Sequence, residues 1–336
     1  MTTHPCFGNL LAVLARKTPD RPTLFEFFLN ARLHERLGGP LDETLGEDAG
    51  SVQVIRAFMA AGYDYATMHA STFGFPGGTR RHAASVSQSE GAVIGSRADF
   101  EAYAWPEPDD HPIDRLDRLA GHLPAGARFI VPGPSGVLEN AIHLVGYEQL
   151  CLMVLDDPEL AGDVFDAVGS RLVRYYELAA PHPAVGACIS NDDWGHKTQT
   201  ALPPALMRRF VFPWHTRIVA AIHAAGKPAI LHSCGARHEI IDDIVGIGFD
   251  AVHSFEDGIQ PIEAAYEQLS DRLALMGGID VDFLCRAPLD AIRARVEAMI
   301  DATACRGWAV GSGNSIPYYV PDEAYLAMID AARARW

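Results

Sequence analysis

From about residue 52 the chain repeats one rhythm: a helical pattern, a short β-rich apolar run, then a polar or glycine-bearing loop. Seven runs read as strands: YDYATMH (63–69), ARFIVPG (127–133), VGACIS (185–190), KPAILHS (227–233), DAVHSF (250–255), LALMGGID (273–280) and GWAVGSG (307–313). They are nearly continuous in apolar residues, as strands buried on both faces are, and this predicts a parallel sheet covered by helices. The intervening LDDPELAGDVFDAVGSRLVRYYELAA and PPALMRRFVFPWHTRIVAAIHAAG carry prolines or acidic residues in their first turns, where a helix prefers them. Seven or eight such units favour a closed (β/α)8 TIM barrel over an open doubly wound sheet, although one strand has no clear place in the sequence. Residues 1–50 read as a mostly helical N-terminal extension, from FGNLLAVLARK and LFEFFLNARLHERL, packed on a barrel spanning 51–336 as one structural domain. No GxGxxG opens a helix after a strand and no Walker A motif is present, which argues against dinucleotide and ATP binding.

Charge narrows the partners. With 27 Lys+Arg against 43 Asp+Glu, the net charge of -16 and the lack of a basic run predict no nucleic-acid or anionic-membrane partner. The six cysteines, at 6, 151, 188, 234, 285 and 305, are too scattered for a secreted disulfide framework, so a reducing, cytoplasmic location is expected. The opening MTTHPCFGNLLAVLARKTPDRP lacks a basic start and a small-residue cleavage site, and no run of about 18 apolar residues predicts a membrane span.

In a barrel, chemistry gathers at the C-terminal ends of the strands, and here those ends are polar. They carry His69 and Ser71; Gly133-Pro134-Ser135-Gly136; Asn191-Asp192-Asp193-Trp194-Gly195; His232-Ser233-Cys234-Gly235; His253 with Glu256 and Asp257; Gly278-Ile279-Asp280; and Gly313-Asn314-Ser315. In HSCG, strand alternation turns His232 and Cys234 to one face, which is half of a tetrahedral zinc site; the alternative is a buried thiol beside a hydrogen-bonded core histidine. Asp192 and Asp193 offer paired carboxylates for acid-base work, or a cap for the following segment. Glu256 is a further oxygen ligand or orienting group, or a solvated loop carboxylate. Asp280 and Asn314 follow glycines that allow close backbone approach and are available for polar recognition, Asp280 as a substrate-binding residue, with turn chemistry as the plainer reading. His69, Ser135, Phe73, Trp194 and Tyr318 are expected to bind substrate, with Phe75, Trp105 and Tyr319 as further aromatic wall.

The order G-P-S-G, N-D-D-W-G, H-S-C-G, G-G-I-D and G-S-G-N-S-I-P resembles the uroporphyrinogen decarboxylase superfamily over nearly the whole chain, most specifically from 185 to 331. The resemblance implies a (β/α)8 fold and two kinds of activity: tetrapyrrole decarboxylation, or zinc-dependent methyl transfer with corrinoid proteins, coenzyme M or folate. The decarboxylases carry an arginine-rich RQAGRYLPE segment, which is absent here; Arg21 and Arg32 occupy that region without matching it. In the methyltransferase group the H-x-C motif supplies zinc ligands, and it maps onto His232 and Cys234. That group has a further cysteine in a G-C-G-I-P loop, where this chain has Asn314, so the resemblance leaves the site one ligand short, with Glu256 the first choice to complete it.

The function expected from the resemblance is that of a methyltransferase or demethylase moving a methyl group between a small-molecule donor and a corrinoid, thiol or folate acceptor. Zn²⁺ is the expected cofactor, with the corrinoid carried on a partner protein, and Asp193 as proton donor, with Asp192 and Asn314 as the other catalytic residues. A decarboxylase of a non-classical acid and a non-catalytic tetrapyrrole- or corrinoid-binding protein are the alternatives. A homodimer is the oligomer left open.

Overall fold

In the computed structural model, which describes residues 4–78 and 91–336, seven parallel strands form one sheet in sequence order. They are β1 (Tyr65–Thr67), β2 (Arg128–Pro132), β3 (Val185–Asn191), β4 (Ala229–His232), β5 (Ala251–His253), β6 (Ala274–Met276) and β7 (Trp308–Ala309). Six fall inside the apolar runs, and β3 extends one residue beyond its own, to Asn191. Ile130, Ile189, Ile230, Val252 and Leu275 are wholly removed from solvent, as expected of strands covered on both faces. The register sets Asn191 beside His232 and His232 beside His253, so three polar strand ends line up at one rim.

The N-terminal region departs from the sequence expectation in one place. Helices form at α1 (Phe7–Leu14), α2 (Ala31–Gly38) and α3 (Ala49–Ala61), but the first half of LFEFFLNARLHERL is extended. Leu24 bridges Val310 and Leu29 bridges Ile316 in parallel, with Phe25 N–H donating to Val310 O (2.7 Å) and Val310 N–H to Thr23 O (2.8 Å). On the other side, the Tyr65 hydroxyl of β1 accepts from Glu26 N and donates to Glu26 O, both at 2.7 Å. Segment 23–29 therefore lies between the last strand and the first, in the place for which the sequence offers no obvious strand. The physical reason is the unpaired edge of β7, whose backbone groups need partners once buried. Leu24, Phe25, Phe27 and Phe28 satisfy helical spacing, yet Phe25 and Phe27 also alternate with Glu26 at the period of a strand. Helix begins only after Asn30, whose side chain accepts from Leu33 N–H as the α2 cap.

The opposite end of the sheet is closed by α1. Phe7 N–H donates to Gly126 O, Cys6 N–H to the Asp64 carboxylate, and Gly307 N–H to Lys17 O, all just ahead of strands. Gly186 must be glycine here, since a Cβ would lie 2.4 Å from the Phe7 ring. Chemistry is left to the C-terminal rim. Among the described residues, no helix is long and apolar enough to cross a membrane.

Glu26 is fully buried next to Tyr63, Tyr65 and Tyr325. Burial pushes its carboxyl up to about 8, against two lowering hydrogen bonds from Ser312. The folded state thus keeps a proton that the unfolded chain releases above about 4.5, so stability falls as pH rises from there to about 8, by on the order of 5 kcal/mol. Glu26→Gln, neutral at every pH, is expected to gain on the wild type progressively between about pH 4.5 and pH 8 and to hold that gain above it in denaturant melts. Parallel pH curves for the two proteins would contradict this.

Candidate active site

The ends of β3 and β4 bring Asp193, His232 and Cys234 together, with one ligand-type atom from each within 4.8 Å of the others. Cys234 Sγ lies 3.8 Å from His232 Nε2, and Asp193 Oδ1 lies 4.0 Å from the same nitrogen. Asp193 also accepts from Cys234 N–H at 2.8 Å, which ties the two loops together, while its side chain stays 45% exposed at the rim. Glu256, expected as the third ligand, is outside this cluster; it borders two neighbouring cavities of about 210 and 660 Å³. Asn314 is brought in by the loop after β7: its Nδ2–H donates to Cys234 Sγ at 3.1 Å. The amide cannot flip freely, because Oδ1 accepts from Ser315 N–H and hydroxyl.

Hydrogen bonding fixes the histidine tautomers. His253 Nε2 faces the Ser312 carbonyl at 3.3 Å, an acceptor only, so this nitrogen carries the proton. His253 Nδ1 is then an acceptor and takes the Nδ1–H of His232 at 2.8 Å. His232 Nε2 is left with a bare lone pair aimed at the Cys234 sulfur and Asp193. Burial holds both rings neutral, His232 far below its usual range and His253 down at about 3, and Phe27 packs on the His232 ring at 4.5 Å between centroids. Burial, and then the charge of Asp193, pushes the Cys234 thiol up to about 12, opposed by the donors on Asn314 and Ser254. Nearby, Arg237 donates to the carbonyls of Ser233 and Ser254; burial lowers it to about 10, against the pull of Cys234, Asp193 and Glu256.

Asp192 faces away from the cluster and is completely buried. Its carboxylate accepts from Leu138 and Glu139 N–H (3.0 and 2.8 Å), from the Trp194 indole (2.9 Å) and from His215 (2.8 Å). It thereby caps the Val137–Val145 helix and locks the Phe212–Ala224 helix to β3. Gly136 is obligatory beneath it, since a Cβ would meet Asp192 at 2.1 Å. Ser190, His215 and Asp192 are hydrogen-bonded in series, but all three are buried and the chain they form is a structural clamp. Trp194 is likewise fully enclosed, against Phe212 and His215.

The other expected site residues are placed as follows. His69 is half-buried at the end of β1, stacked on Phe28, and burial, helped by Arg115, lowers it to about 4. Phe73 is buried against Phe75 and Tyr175. Ser135 takes a left-handed turn (φ 64°), an uncommon conformation for a residue with a side chain. Asp280 caps the Val281–Arg286 helix through Phe283 N–H and also accepts from Asp257 N–H, while bordering the larger cavity. Tyr318 is largely exposed, 5.6 Å below the Arg32 guanidinium, and does not border that cavity.

Sequence reasoning did not single out Glu139, Arg237, Phe27 or the relay through His253. Glu139 stands at the third position of the Val137–Val145 helix, with its carboxylate on Gly136 N–H. Burial, followed by the charges of Asp192 and Asp193, pushes it up to about 8. The Asn191 Oδ1 atom, at the end of β3, is buried without a hydrogen-bond partner.

Comparison with known proteins agrees with this architecture. The family described as Uroporphyrinogen decarboxylase (URO-D) matches residues 93–335. A uroporphyrinogen decarboxylase of Streptomyces avermitilis is 24% identical over 247 residues, a stretch that is 70% of this chain and 66% of that protein. Among solved structures, a methyltransferase from Methanosarcina mazei superposes with a TM-score of 0.72 at 16% identity, covering 97% of each chain, and shares the fold. With the matched family spanning most of the chain and all but the first of its seven strands, this protein belongs to the uroporphyrinogen decarboxylase family.

Proposed function

We propose that the chain is a metal-assisted methyltransferase or demethylase, and that the observation carrying this reading is the Asp193–His232–Cys234 cluster with its tautomer-fixed imidazole. One nitrogen, one sulfur and one oxygen donor converging at a rim fit zinc, which in catalytic sites takes three protein ligands and keeps a fourth position open. His253 supplies the outer hydrogen bond that such a ligand histidine ordinarily makes. Zinc held there would act as a Lewis acid toward the oxygen of a methyl ether or toward an accepting thiol.

The chain's own residues would do the rest. Cys234 is oriented by the Asn314 amide, and His232 by His253 and the Phe27 ring. Glu139, protonated at neutral pH, is the group best suited to deliver a proton to the oxygen that departs when the methyl group leaves. Asp193, which the sequence put forward as the acid, is better used as a ligand, given its bond to Cys234 N–H and its place beside His232. The acceptor in this reading is a corrinoid on a partner protein, or a thiol or folate. A reduced corrinoid, when bound, would supply the electron pair that takes the methyl group from its oxygen, and Glu139 would give its proton to the alkoxide or phenolate released.

The surroundings weigh against a substrate with many carboxylates. The larger cavity is bordered by Glu256, Asp280 and Asp282, and its Arg286 is already paired with Asp282. Arg237, on the smaller one, is committed to two carbonyls. The fold shared with the Methanosarcina mazei methyltransferase also favours methyl transfer. The test is incubation of zinc-loaded protein with cob(I)alamin and a panel of alkyl and aryl methyl ethers, watching for the methylcob(III)alamin spectrum. Its appearance is expected; carbon dioxide release from an aromatic or pyrrolic acid without any methyl transfer would instead favour a carboxy-lyase.

A further inference from the structure

We propose that Glu26 is a positioning residue for the Asp193–His232–Cys234 centre, acting through Ser312 on two of its three members. The proposal rests on the metal-site reading above. Glu26 lies on the 23–29 segment, between Phe25 and Phe27, and its hydrogen bonds run to Tyr65 and Ser312 rather than to the cluster itself. Its Oε1 accepts from Ser312 N–H at 2.6 Å and its Oε2 is 2.8 Å from the Ser312 hydroxyl.

Two branches leave Ser312. The first runs from its carbonyl, which takes the His253 Nε2–H; this sets His253 Nδ1 as acceptor and leaves His232 Nε2 bare. The second runs from its hydroxyl, which lies 3.0 Å from the Asn314 carbonyl and steadies the turn whose amide reaches Cys234. Both branches are protein-only, and Glu26, Ser312, His253 and His232 are all buried, so no solvent competes for these bonds. Glycines permit the close packing that keeps the chain short: a Cβ at Gly277 would lie 2.2 Å from Ser312 O and 3.2 Å from His253 Nε2. A carboxyl group is otherwise a costly occupant of this layer, and a stability role alone would be served better by an apolar side chain.

Zinc titration and histidine ¹⁵N NMR of the metal-free protein test this together. Wild type should show His232 protonated at Nδ1 and bare at Nε2. Glu26→Leu should mix the tautomers of His232 and His253 and weaken zinc binding about 10- to 100-fold, the usual scale for losing an outer-sphere partner. Glu26→Gln, which can still accept from Ser312 N–H and donate to its hydroxyl, should restore both. Folded Glu26→Leu with wild-type tautomers and zinc affinity overturns the proposal. If the wild type binds no zinc but its fixed tautomers are lost in Glu26→Leu, the positioning role stands and the metal reading falls. Should Glu26→Leu not fold, Ser312→Ala decides: by releasing the Asn314 amide that favours the thiolate, it should slow iodoacetamide alkylation of Cys234 severalfold, and an unchanged rate counts against the proposal.

Discussion

Glu139→Gln is expected to lower turnover of an unactivated methyl ether about 10²- to 10⁴-fold with little change in KM, the range for loss of a positioned general acid. Gln is close to isosteric and keeps an oxygen for Gly136 N–H, so the helix start survives. What it cannot do is give up a proton. Burial and the neighbouring Asp192 and Asp193 charges hold the Glu139 proton up to about 8, so the wild-type rate should be full below that pH and fall as pH rises through it. The variant should lack this alkaline limb. A donor whose leaving group is a weak base, such as a nitrophenyl methyl ether, needs no acid and should restore most of the lost rate. A loss under threefold with an unchanged pH profile would remove Glu139 from the chemistry.

The second large effect is on stability. Asp192→Ala strips four donors of their common acceptor in a fully buried setting. Breaking a buried charged network from one side costs about 3–5 kcal/mol, and the orphaned helix N–H groups and indole add to the damage. Asp193→Asn should differ sharply: the side chain is half exposed, so the fold should change little while metal affinity suffers. Urea denaturation of the two variants side by side reads this contrast. Equal, small losses would contradict the division of labour between the adjacent aspartates.

That division shows what a sequence can and cannot disclose. The strands were legible because parallel strands buried on both faces stay apolar at almost every position. The HSCG pair was legible because strand alternation alone puts His232 and Cys234 on one side. The facing of Asp192 and Asp193 was not, because neighbouring residues point opposite ways and only the partner helix decides which is inside. Segment 23–29 is ambiguous in sequence because its phenylalanines satisfy both a helical and a strand period, and the deciding fact is an edge on β7 nearly 290 residues away. Glu256 was favoured as a ligand by its place after β5, yet Asp193 is the carboxylate that reaches His232 and Cys234. Glu139 carries the ordinary signature of a helix first turn, and its high proton affinity arises from charges brought beside it by β3. His253 did leave a trace, since it ends the strand next to His232 and in register with it.

The most direct measurement is the metal content of purified, zinc-loaded wild-type protein beside Cys234→Ala, each with its fold checked by circular dichroism. About one zinc per chain in the wild type, lost in the folded variant, is the predicted result for a site with three protein ligands. Wild-type protein that retains no zinc, or a Cys234→Ala protein that retains as much, would contradict the metal centre on which the methyl-transfer reading stands.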